Sequence, residues 1–122
     1  MSEKRILVVE DEEDLLEIYS SFLRNAGYTV ETALDGRRAI EKAKKTEFDL
    51  VLLDIKLPDI MGDEVARKLK EINEGVIIVM VTGFPSFQES IDSLDLGIYD
   101  ILLKPITGEE LIRVMKEALS SQ

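Results

Sequence analysis

Asp54 ends an unbroken apolar run, Leu50-Val51-Leu52-Leu53, and leads into Ile55-Lys56-Leu57-Pro58-Asp59-Ile60-Met61-Gly62. Four consecutive apolar residues without alternation indicate a strand covered on both faces, as in a parallel sheet. Open α/β sheets hold ligands in the crevice beyond the carboxyl ends of their strands, so a carboxylate there is a candidate nucleophile. Other reactive groups stand in the same relation to other apolar runs. Glu10 and Asp11 follow Arg5 to Val9, Thr82 follows Val76 to Val81, and Lys104 follows Tyr99 to Leu103. If those strands share one sheet, its edge gathers Glu10, Asp11, Asp54, a hydroxyl and an ammonium. Carboxylates so close resist ionising unless positive charge sits among them. A hard divalent cation bound through oxygen resolves that conflict, and Mg²⁺ suits such donors, with Mn²⁺ as the alternative. A carboxylate nucleophile, a cation that clamps oxygens, and a lysine and hydroxyl that hold the moving group together make a kit for phosphoryl transfer.

Taken singly, these residues have plainer readings. Asp54 would begin a turn punctuated by Pro58 and Gly62. Thr82 would be a strand-end residue and Lys104 a surface lysine. Glu12 to Asp14 would favour the positive end of the first helix, an effect of about 0.3–1 kcal/mol. That last reading leaves unexplained why Asp54 should share the corner, and the joint placement is what points to chemistry.

The elements that must position them alternate strictly. After the first strand, Leu15, Ile18, Tyr19, Phe22 and Ala26 recur at helical spacing up to Gly27. A strand over Tyr28 to Ala33 precedes Asp35-Gly36 and a helix that uses Ala39, Ile40 and Ala43. Its Arg37, Arg38, Lys42, Lys44 and Lys45 read as a solvated face. Val65, Ala66, Leu69 and Ile72 mark a third helix. Ser86-x-x-Glu89 is a capping box opening a helix that would bury Phe87, Ile91 and Leu94 and stop at Gly97. Thr107-x-x-Glu110 opens the last helix, with Leu111, Val114, Met115 and Ala118 as its apolar stripe. Five strand-helix units imply an α/β fold, a doubly wound five-stranded parallel sheet with right-handed crossovers. The order 2-1-3-4-5, a flavodoxin-like three-layer sandwich, fits the count and puts its switch point between the strands ending in Glu10-Asp11 and Asp54.

Composition narrows the chemistry. The 122 residues fit one domain and can bury a real core. Cys and His are both absent, which removes disulfides, thiolate sites and the usual imidazole base. A net charge of -10 opposes direct nucleic-acid binding. The longest apolar run, Val76 to Val81, is too short to cross a bilayer, and Met1 to Arg5 lacks a signal-peptide core. A cytoplasmic location without membrane association is the expectation.

Glu10-Asp11 after V-V, Asp54 in L-L-D-I-K-L-P-D-I-M-G, Thr82-Gly83 after V-M-V, and Lys104-Pro105 form four blocks. At these spacings the chain resembles, over essentially its full length, a receiver domain of the two-component response regulators, so residues 1–122 are expected to form one receiver domain. The resemblance implies that Asp54 accepts a phosphoryl group from a sensor histidine kinase, a phosphotransfer protein or a small acyl phosphate. It implies Mg²⁺ held by Asp11 and Asp54, with Glu10 acting mainly through water and the Lys56 backbone carbonyl adding a ligand. It also implies that Lys104 and Thr82 hold phosphate oxygens, that Lys104-Pro105 is cis, and that inward movement of Thr82 signals to a downstream protein or output domain. The activity expected is that of a phosphoacceptor switch, a monomer or weak dimer, not a turnover enzyme.

The sequence also departs from that family. Ile101 occupies the usual aromatic switch position, and Tyr99, on the same strand face, is assigned to core packing. Met61 stands where a small polar or acidic residue usually precedes the glycine. Lys56 and Phe84 flank the approach of the hydrolytic water in this family, and together are expected to lengthen the life of the aspartyl phosphate. Three rivals share the fold class or the chemistry. A haloacid-dehalogenase-type phosphatase would need D-x-D where Asp11-x-Glu13 stands. A flavin or nucleotide binder would need a phosphate-cradling loop where Glu10-Asp11-Glu12 stands. An unphosphorylated docking module would not need all four blocks.

Overall fold

Apolar runs that alternate with amphipathic segments fold here as the pattern dictates. The computed structural model describes residues 3–83 and 95–120. In chain order it contains β1 (Arg5–Val9), α1 (Glu13–Asn25), β2 (Thr29–Ala33), α2 (Gly36–Lys45), β3 (Leu50–Asp54), α3 (Gly62–Ile72), β4 (Ile77–Thr82), β5 (Asp100–Leu103) and α4 (Gly108–Ser120). The strands form one parallel sheet in the order β2-β1-β3-β4-β5. The capping box at Ser86 and the residues Phe87, Ile91 and Leu94 lie outside the described residues.

Central strands β1, β3 and β4 split their side chains between two cores, as period two requires. Ile6, Val8, Leu50, Leu52, Val79 and Val81 face α1 and α4. Leu7, Val9, Val51, Leu53, Ile78 and Met80 face α2 and α3. Gly27 and Gly97 take φ of 101° and 72°, the left-handed turn that a residue with a Cβ rarely adopts.

One helix presents a different face from the expected stripe. α1 buries Leu16, Tyr19, Ser20 and Leu23, whereas Ile18 and Phe22 are 48% and 42% exposed. The doublets Leu15-Leu16 and Phe22-Leu23 offer two apolar stripes offset by one residue, about 100° of helix, and the sheet takes the second. Phe22 instead lies over Gly108 at the start of α4, so close that an added Cβ would collide with its ring.

Edge strand β2 is blunted on its open side. Arg24 of α1 donates to the Val30 carbonyl (3.3 Å) and Lys42 of α2 to the Thr32 carbonyl (2.5 Å). Cations on an exposed edge discourage pairing with another chain, which gives part of the basic α2 face a structural role.

Among the described helices, two are capped by a side chain and two are not: Glu12, at the N-cap of α1, makes no side-chain cap bond, and Met61 is the other case. Asp35 accepts from the Arg38 N–H and Thr107 from the Glu110 N–H. Met61, at the N-cap of α3, has no acceptor to offer, and it is 50% exposed. Met61→Ser should therefore raise stability by about 1 kcal/mol. The gain should appear as a higher urea midpoint at unchanged slope, and a lowered midpoint would contradict the capping account.

Candidate functional site

Register sets the carboxyl ends of the strands level. Val9 pairs with Leu53, Asp54 with Val81, and Thr82 with Leu103. The residues that follow these positions therefore meet at one edge, as the 2-1-3-4-5 order requires.

Glu10, Asp11 and Asp54 each bring a carboxylate oxygen to within 4.8 Å of the others. Glu10 and Asp54 are buried and Asp11 is exposed. Lys104 spans the two buried acids, its Nζ 2.9 Å from Glu10 Oε1 and 3.1 Å from Asp54 Oδ2. The other oxygens are held by backbone: the Glu12 N–H donates to Glu10 Oε2 (3.1 Å) and the Lys56 N–H to Asp54 Oδ1 (3.1 Å). Thr82 is buried at the end of β4, and its carbonyl accepts from the Lys104 N–H at 2.8 Å. The Lys104-Pro105 peptide is cis.

Charge in this corner is unbalanced, with three carboxylates against one ammonium. Burial pushes the Glu10 carboxyl up to about 7; the bonds from Lys104 and the Glu12 N–H oppose that rise, and the charge of Asp54 adds to it. Burial alone would lower the Lys104 ammonium, but its bond to Glu10 and its attraction to Asp54 outweigh burial and hold it above its ordinary value. All the acidic donors are oxygens, and they are short of positive charge. The set therefore fits a hard divalent cation.

Other expectations resolve less uniformly. Lys56 is exposed and adjoins Asp54 through its own N–H. Ile101 is half-buried on β5 against the α2–α3 core. Tyr99 does not pack in the core: it precedes β5, donates its N–H to the Ile78 carbonyl (2.8 Å), and is 44% exposed. The chain enters the edge strand only at Asp100, so the period-two reading began one residue early. Phe84 lies outside the described residues. The sequence reading also missed the ammonium bridge between Glu10 and Asp54, since a strand-end lysine carries no sign of which carboxylate it will meet. It missed Asp59 as well, whose carboxylate takes N–H groups from another element.

Known proteins resemble this chain in sequence and fold. The family profile described as response regulator receiver domain matches residues 6–116. The response regulator ArlR of Staphylococcus saprophyticus subsp. saprophyticus is 34% identical over 118 residues, which cover 97% of this chain and 53% of that protein. The transcriptional regulatory protein ZraR of Klebsiella oxytoca is 34% identical over 115 residues, 94% of this chain and 26% of that protein. The chain thus spans about half of one relative and a quarter of the other. A crystal structure of a CheY-like response regulator receiver domain protein from Methanospirillum hungatei JF-1 superposes with a TM-score of 0.96 at 36% identity, covering 98% of this chain and 96% of that one. These matches favour neither the phosphatase nor the flavin-binder reading. The four motif blocks, the 2-1-3-4-5 sheet and the profile all lead to one assignment: the chain belongs to the response regulator receiver domain family.

Proposed function

We infer that residues 1–122 act as one phosphoacceptor unit in which Asp54 receives a phosphoryl group and returns it to water. The observation that carries this reading is the Lys104 ammonium held between buried Glu10 and Asp54, with Asp11 completing the acidic cluster. An Asp54 oxygen attacks the phosphorus of an acyl phosphate or a phosphohistidine. The bond from phosphorus to the donor breaks, and acetate or imidazole leaves with that electron pair. Lys104 then exchanges a carboxylate partner for a phosphoryl oxygen, and the Thr82 hydroxyl takes another. Asp11 and Asp54, with the Lys56 carbonyl and with Glu10 through water, would hold Mg²⁺, whose chemistry is to neutralise charge on the transferred oxygens.

The reading extends to partners and fate. A sensor histidine kinase or phosphotransfer protein supplies the group, and a downstream protein or output domain reads the change, in the cytoplasm and without direct nucleic-acid contact. Among the described residues no helix is long and apolar enough to cross a membrane. Phosphorylation adds close to two negative charges beside Glu10, and drawing Thr82 inward shifts the segment after β4. Ile101 fills space against the α2–α3 core without the hydroxyl of a tyrosine toggle. The Phe84 and Lys56 side chains slow loss of the phosphoryl group.

Acetyl phosphate with Mg²⁺ should add about 80 Da, one HPO₃, to the intact protein. The gain should be absent in Asp54→Asn and in EDTA. Borohydride reduction of the adduct should yield homoserine at position 54. A mass gain that persists in Asp54→Asn would place the acceptor elsewhere and end this reading.

A further inference from the structure

Asp59 lies five residues beyond the phosphoacceptor, on the exposed part of the loop between β3 and α3. Its carboxylate accepts three backbone N–H groups. Oδ1 takes those of Gly36 (2.9 Å) and Ile60 (2.8 Å), and Oδ2 takes that of Arg37 (3.0 Å). Gly36 and Arg37 are the first two residues of α2, whose N–H groups have no partner within the helix. The helix's own cap, Asp35, reaches only the third, Arg38. The first turn of α2 is thus completed from a different element. Although burial works the other way, the N–H bonds from Gly36, Arg37 and Ile60 hold the Asp59 carboxyl below the usual carboxylate range, so it stays ionised at neutral pH.

The same loop is fixed at two further points. The Gly62 N–H donates to the Ile55 carbonyl at 2.7 Å, and the Lys56 N–H donates to Asp54 Oδ1 at 3.1 Å. Close packing reinforces the contact with α2. A Cβ on Gly36 would meet Val65 Cγ2 at 2.7 Å and Asp59 Oδ1 and Ile60 Cβ at 3.3 Å. A loop of seven residues, 55–61, tied at its base and at its tip has little freedom left, and the Lys56 N–H that fixes the rotation of the Asp54 carboxylate lies between those ties.

We propose that Asp59 is a positioning residue for the phosphoacceptor: it clamps the loop after β3 to the N-terminus of α2 and thereby keeps the Lys56 N–H on Asp54. The part that concerns Asp54 reactivity rests on the phosphoacceptor reading above; the clamp itself does not.

The test compares wild type, Asp59→Ala, Asp59→Asn and a remote control, Asn73→Ala. Asn73 ties the Phe48 carbonyl and the Gly75 N–H at the opposite edge of the sheet, so its loss lowers stability without touching the loop. Amide hydrogen exchange, which needs neither metal nor phosphate, should speed up at least tenfold at Gly36, Arg37 and Lys56 in Asp59→Ala, and at none of the three in Asn73→Ala. Modification of Asp54 by acetyl phosphate at saturating Mg²⁺ should slow several-fold in Asp59→Ala and stay at the wild-type rate in Asn73→Ala. Asp59→Asn keeps one accepting oxygen and should fall between, and it carries the test if the alanine variant does not fold. Faster exchange at Gly36 and Arg37 with unchanged protection at Lys56 would make Asp59 a helix cap only and overturn the proposal. An unchanged modification rate with all three amides loosened would overturn its link to Asp54. If wild type itself takes up no phosphoryl group, the phosphoacceptor reading fails, while the exchange data still decide the clamp.

Discussion

Lys104→Met is expected to accept phosphate about a hundredfold more slowly than wild type, the size of effect seen when one charge-stabilising donor is removed from a reacting centre. It is also expected to be less stable by about 2 kcal/mol in EDTA at pH 7.5. Methionine retains most of the lysine stem's bulk, so packing changes little and the result reports the missing charge. Removing one partner of a buried pair typically costs about 3–5 kcal/mol because the other charge is left uncompensated. The value here is set lower because the Lys104 side chain keeps some contact with water, with a relative exposure of 21%. Mg²⁺ should restore part of the loss in stability by replacing the positive charge, and little of the loss in rate, because it does not replace the contact to the phosphoryl group proposed for Lys104.

The pH dependence of that variant has a definite sign. Glu10 is held near 7 in the folded protein and lies at 4.5 when unperturbed. A group whose folded value is raised contributes stability that is complete below the unfolded value and lost as pH rises through the folded one. Wild type in EDTA should therefore lose this contribution between about pH 4.5 and pH 7. Without the lowering effect of Lys104, the loss should extend to higher pH in Lys104→Met. Urea midpoints measured from pH 5 to pH 8.5 in EDTA, with Glu10→Gln as the variant that cannot titrate, check this. A Lys104→Met midpoint that rises relative to Glu10→Gln across that range would refute the charge account.

What the sequence disclosed was whatever depends on periodicity and on strand ends. The runs at Leu50–Leu53 and Ile77–Val81 have no polar residue to mislead, so strand type, order and the meeting of Glu10, Asp11, Asp54, Thr82 and Lys104 at one edge were all legible. What stayed hidden depends on choices that one dimension does not encode. The buried face of α1 was misread because adjacent leucines gave two stripes of equal merit. Tyr99 was read as core because an edge strand with one half-exposed face begins without a sharp signal. The Asp59 clamp joins residues 22 and 23 apart in sequence, and nothing local to L-P-D-I-M-G distinguishes an aspartate serving another helix from one serving its own turn.

Gly62→Ala should be the most damaging single-methyl change among the described glycines with ordinary φ, costing about 3 kcal/mol, the upper end for forcing atoms into a packed site. Gly62 does not need a left-handed φ; it needs the absence of a Cβ. That atom would sit 2.6 Å from Ile55 Cα, 2.9 Å from the Ile55 carbonyl oxygen and 3.0 Å from that of Asp54. All three obstacles are backbone, so no side chain can swing aside, and relief requires moving β3 where it carries Asp54 or lengthening the 2.7 Å bond from Gly62 to Ile55. Gly36→Ala meets first a valine methyl group at 2.7 Å, which can shift, and should cost less. Gly75→Ala meets only the Asn73 side chain at 3.6 Å and, with φ in the ordinary range, should be neutral or stabilising by about 0.5 kcal/mol through the unfolded chain. Urea denaturation of the three variants, followed by circular dichroism, gives the ranking directly. Because the strain falls on Asp54 and Ile55 themselves, Gly62→Ala should also slow phosphate acceptance under conditions where it remains folded. A Gly62→Ala midpoint equal to that of Gly75→Ala would mean that the loop can move away from β3 freely, and the tight path of the chain past Asp54 would then impose no constraint on it.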